Sequence, residues 1–204
     1  MTKDKESKIF EIYANKFCKK DVDAGHFEFR LSKMESTGVH ARYNIKRRKV
    51  YANKKLYEMS RPALYTTISK KITIFRQKTK NKANVYKQLS SLYHEYAHYY
   101  SESLDPALES LTHNTYCICN NTRIYYHTTL ESIATITTLM MMMHVFPAIP
   151  YKAHLACRAY SSIRKMSLSN MQAYSLPYKH IIDKTYEHMS ERHREITTKN
   201  DSRT

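Results

Sequence analysis

The order of apolar and polar residues divides the chain into a strand-rich first part and a helix-rich remainder. An amphipathic pattern over Lys8 to Lys20 predicts a short opening helix, and the alternation of HFEFRL, from His26 to Leu31, is that of a half-buried strand. Gly38 to Asn44 and Lys49 to Asn53 read as two strands around a basic turn; Pro62 interrupts, and Ile68 to Phe75 reads as one more. From about Ala83 to Ser101 the chain runs without a breaker, which predicts the first strong helix, and Asp105 and Pro106 mark a new segment. TYCIC, NN and TRIYY then read as a hairpin turning at Asn120 and Asn121, because asparagine tolerates the positive φ of a two-residue turn. A second strong helix is predicted from Thr128 to Phe146, ended by Pro147 and Pro150, and two more around Lys152 to Lys165 and Leu168 to Ser190. The expected fold is α+β, a small antiparallel sheet of three to four strands followed by helices. It occupies one domain over residues 1–190, with 191–204 a polar, frayed tail.

Composition supports a folded chain. At 204 residues with 42% hydrophobic and 25% charged content, one core can form. The most apolar stretch, Ile133 to Phe146, falls short of the roughly 20 residues a membrane span needs, so it reads as a buried helix with Met140 to Met143 as core filler. Cys18, Cys117, Cys119 and Cys157 lack the paired spacing of a zinc ribbon, and reduced thiols are expected; Cys117 and Cys119 read as packing residues of one strand. The N-terminal MTKDKESKIF has no apolar run of signal-peptide length, so the cytoplasm is the expected compartment and no membrane partner is expected.

The chemistry concentrates at His94-Glu95-Tyr96-Ala97-His98, an HExxH motif inside the first strong helix. Residues four apart share a helical face, so both imidazoles can address one Zn²⁺, while Glu95, one position along, can take a proton from water at the metal. A catalytic zinc needs a third protein ligand and an open fourth position. Glu131, 33 residues beyond His98 in the run LESIATITTL, is the first choice, because Ala134 and Thr135 share its face and leave room for a neighbouring helix. His113, His127 and His144 compete for the same role, and His127 lies one turn before Glu131 if that helix starts early enough.

With HEYAH and ESIA in place, the chain resembles the gluzincin class of HExxH metallopeptidases, and in particular its minimal versions, the ImmA/IrrE repressor-cleaving proteins and the zincin-like domain of ArdC-type antirestriction proteins. The likeness covers about Gly38 to Phe146; Ala97 stands where ImmA/IrrE proteins usually carry Gly. The resemblance implies a zincin-like domain that hydrolyses peptide bonds in a restricted protein substrate. Zinc would sit on His94, His98 and Glu131, with Glu95 as general base and a Tyr or His donor for the oxyanion, for which Tyr125, Tyr126, His127 and His144 are candidates.

Charge adds a second possibility. Of the formal net +16, nearly all lies before the motif: residues 1–90 hold 23 Lys+Arg against 8 Asp+Glu, and residues 91–204 hold 11 against 10. The densest run contains Lys46, Arg47, Arg48, Lys49, Lys54 and Lys55, interleaved with Tyr. Such a surface can bind a nucleic-acid backbone or an acidic protein, which makes a nucleic-acid-binding regulatory or antirestriction protein on a zincin-like scaffold the alternative reading.

Overall fold

The computed structural model describes residues 3–33, 41–50, 64–76, 83–105, 108, 120–148, 172–173 and 175–201. The opening helix α1 spans Lys3–Asp23 and buries Phe10, Ala14, Phe17, Cys18 and Asp21 at three- and four-residue spacing, the signature of one inward face. It ends in a Schellman motif. Gly25, at φ 73°, donates to the Val22 carbonyl at 3.0 Å, and the His26 amide reaches back to that of Asp21 at 2.9 Å.

Three strands follow: β1 (Glu28–Lys33), β2 (Ala41–Val50) and β3 (Leu64–Arg76). They hydrogen-bond in the order β1-β3-β2. The long β3 serves two neighbours, pairing parallel with β1 along Lys71 to Arg76 and antiparallel with β2 along Leu64 to Ile74.

Helix α2 spans Ala83–Leu104, α3 spans Asn120–Val145 and α4 spans Lys179–Asp201, the last preceded by a 3-10 turn at Leu176–Tyr178. One core cluster joins Phe10 and Phe17 of α1, Phe27, Ile72 of β3, Leu92, Tyr93, Tyr96 and Ala97 of α2, Ala134, Met141 and Met142 of α3, and Met189 of α4. A smaller one gathers Leu108, Leu130, Ile133, Ile181 and Ile182. Each large apolar side chain so buried contributes about 1.5–3 kcal/mol. Met141 and Met142 are core filler as expected, whereas Met143 is 47% exposed.

Several expectations need correction. The α+β reading with an antiparallel sheet fails, because the described residues are mostly helical, with helices of 21, 22, 26 and 23 residues, and β1 runs parallel to β3. Alternation fixes which face of a strand is buried but not which strand lies beside it. The basic turn at 45–48 does not exist: β2 continues through Lys46, Arg47, Arg48 and Lys49 with one register irregularity between Lys46 and Arg47. At the edge of the sheet formed by the described residues, it can carry cations that a central strand could not. Asn120 and Asn121 open α3 instead of turning a hairpin. The final helix also continues past Ser190 to Asp201, burying Arg192 and Ile196 where a frayed tail was expected. The helix expected at 152–165 and the Cys117/Cys119 pair lie outside the described residues. No helix among the described residues is long and apolar enough to cross a membrane.

Candidate metal centre

Helix α2 places His94 and His98 one turn apart, their rings 4.8 Å between centroids and nearly perpendicular at 89°. Between α2 and α3 the packing is close, and Ala97 and Ala134 are fully buried in one cluster, where larger side chains would force the helices apart. Glu131, near the middle of α3, meets both rings. Its Oε2 lies 3.2 Å from His94 Nε2 and its Oε1 3.5 Å from His98 Nε2. The three ligand atoms fall within 4.8 Å of one another, and the cluster can hold a metal ion.

The two distances run to different oxygens of Glu131, so its carboxylate bridges the two rings. The side chains of His94, His98 and Glu131 keep 18%, 12% and 14% of their surface exposed, so the cluster is lined by protein without being sealed.

The electrostatics describe a carboxylate holding a proton on His98. Burial alone would lower the pKa of His98, but the hydrogen bond and charge of Glu131, with the carboxylates of Glu95 and Glu102, push it up to about 9. Burial would likewise raise Glu131, yet hydrogen bonds and charge from His94 and His98 hold it well below the usual carboxylate range. A divalent cation bound there would meet a carboxylate already ionised. Glu95 is half-buried beside the pair, and Glu102, one turn beyond His98 on the same face, is buried.

The other expected ligands divide. His144 lies 13 residues beyond Glu131 on α3, about 20 Å along the axis. There its Nδ1 lies 3.4 Å from the Tyr186 hydroxyl and its ring 6.0 Å from that of His193, so, contrary to expectation, it is too far from the cluster to serve as ligand or oxyanion donor. His127, Tyr125 and Tyr126 belong to the first turns of α3, but their side chains lie outside the described residues, as does His113 altogether. Lys46 to Lys49 lie on the edge strand β2, with side chains outside the described residues, and Lys54 and Lys55 lie outside them entirely.

Sequence reasoning missed what holds α2 from behind. Asp21 of α1 and Arg192 of α4 form an ion pair at 2.9 Å with side chains 8% and 9% exposed. The Tyr96 hydroxyl, from inside the HExxH motif, donates to Asp21 Oδ2 at 2.8 Å and accepts from His188 Nε2 at 2.9 Å. Tyr99 donates to Asp21 Oδ1 at 3.5 Å, and the ring of Tyr100 stacks on that of His188 at 3.9 Å. Nearer the start of the helix, Tyr13 bonds Tyr93 at 2.7 Å and His193 Nδ1 at 2.9 Å. The available signal was the spacing Ile182, Thr185, Met189, Arg192, Ile196, which continues one helical face through the supposed tail.

No protein-family model matches the chain, and no curated protein or solved structure matches it either.

Proposed function

We propose that the protein is a zinc-dependent metallopeptidase of the gluzincin type, acting on a restricted protein substrate. The convergence of two imidazoles from α2 and one carboxylate from α3 carries this reading, because a two-His, one-Glu set with partial solvent access is a donor set that catalytic zinc uses. Zinc in that cluster supplies Lewis acidity for a peptide carbonyl and acidifies water. Glu95, beside the ligands and half-buried, accepts the proton of the attacking water and delivers it to the leaving amine.

Metal analysis of protein purified without chelator tests the foundation. One zinc per chain is expected, lost in His94→Ala and weakened in Glu131→Ala; a wild-type protein without metal that takes up none on titration refutes the reading. Glu95→Gln should keep the zinc and lower peptide hydrolysis by about 10²–10⁴-fold.

The charge asymmetry and the edge position of Lys46 to Lys49 on β2 favour a second reading, a nucleic-acid-binding regulatory protein on the same scaffold. Salt-dependent retention on nucleic acid that survives Glu95→Gln and is lost when Arg47, Arg48 and Lys49 are replaced by Ala would establish it. Equal retention by the triple variant excludes it.

A further inference from the structure

Thr135 lies one turn beyond Glu131 on the same face of α3, fully buried, and its hydroxyl has no hydrogen-bond partner among the described residues. Buried helical threonines usually satisfy the hydroxyl on the carbonyl four residues back, and Thr137, Thr138 and Thr185 do so here, with distances of 2.9, 2.7 and 2.7 Å to Ile133, Ala134 and Ile181. Thr135 makes no such bond. A lone buried hydroxyl is costly to leave unmatched, so its persistence needs a reason.

Loading of the metal centre provides one. Each oxygen of Glu131 faces one ring nitrogen in this arrangement, at 3.2 Å and 3.5 Å. A histidine binds a cation only through an unprotonated nitrogen, so seating a metal on both Nε2 atoms takes away both ring donors of Glu131. Helical side chains lean toward the N-terminus of their helix, which carries the hydroxyl of Thr135 over the turn that bears Glu131. We infer that Thr135 is a positioning residue of the loaded centre, its hydroxyl donating to the carboxylate of Glu131 when the metal is bound. The inference rests on the proposed metal centre and adds to it a partner that no ligand motif reveals. Its bond fixes the orientation of Glu131 and orders the carboxylate for the ion.

Thr135→Val removes the hydroxyl at nearly constant shape, and Thr135→Ser keeps it. Zinc affinity is measured by competition with a chromophoric chelator, and thermal stability is measured on the metal-free proteins. The expected result is a zinc affinity lowered about 10-fold or more in Thr135→Val and restored in Thr135→Ser, with the metal-free Thr135→Val protein melting at or above the wild-type temperature. Wild-type affinity in Thr135→Val overturns the inference while leaving the metal centre standing. A metal-free Thr135→Val protein that melts well below wild type also overturns it, by showing that the hydroxyl serves the fold. A wild-type protein that binds no zinc removes the metal centre and the inference together.

Discussion

The two sides of α2 both bury a carboxylate against basic partners, but they do so with different kinds of side chain. Behind the helix, Asp21 is paired with Arg192, whose guanidinium does not deprotonate in proteins, and the pair is tied to α2 through the Tyr96 and Tyr99 hydroxyls. In front, Glu131 is paired with His94 and His98, whose protons can be exchanged for a metal ion. The rear is a permanent neutralisation and the front a provisional one. A helix fixed from one side and exchangeable on the other is suited to presenting two imidazoles at constant spacing while the charge between them changes.

The largest effect should come from breaking the permanent side. Arg192→Leu leaves the buried Asp21 carboxyl without its guanidinium partner and also removes the 3.4 Å bond from Nη1 to the Phe17 carbonyl. Losing one partner of a buried pair costs about 3–5 kcal/mol, and chemical denaturation should register a loss of that order. Adding Asp21→Asn to Arg192→Leu should recover part of it, since no charge is then left uncompensated. If Arg192→Leu alone unfolds at the wild-type denaturant concentration, the rear pair does not anchor the helix, and the contrast between the two sides is lost.

The front was legible in the sequence and the rear was not, for a physical reason. His94, His98 and Glu131 announce themselves through helical spacing and ligand chemistry, which are local properties. Asp21 and Arg192 are separated by most of the chain, and each alone resembles an ordinary surface charge, Arg192 more so because it stands in the polar run ERHREITTKND. The errors in the fold have the same origin. Asn120 and Asn121 favour a turn by local preference, yet they open α3, an outcome that local preference alone does not decide. The strand pattern at His26 to Leu31 correctly put Phe27, Phe29 and Leu31 on one face, but nothing local told β1 to lie parallel to β3.

A smaller effect, acid sensitivity, sharpens the comparison by separating the two sides through their histidines. On the rear, burial and then the charge of Arg192 lower the pKa of His188, against the opposing pull of Asp21, Glu191 and Glu195; burial and the charge of His144 lower that of His193. In the unfolded chain both titrate near 6.5, so as the pH falls below about 6.5 the unfolded state binds protons that the folded state still refuses. Stability contributed by these groups is therefore lost on acidification, over the window between about 6.5 and their depressed folded values. His98, raised to about 9, is already protonated in the metal-free fold at the top of that window and adds no slope below it. His188→Gln keeps an N–H donor for the Tyr96 hydroxyl but cannot take up a proton. Its melting temperature, followed from pH 7 to pH 5 in chelator, should fall less steeply than that of the wild type. If the two curves run parallel, acid sensitivity does not arise at His188, and the rear of the helix is no more sensitive to protons than the front.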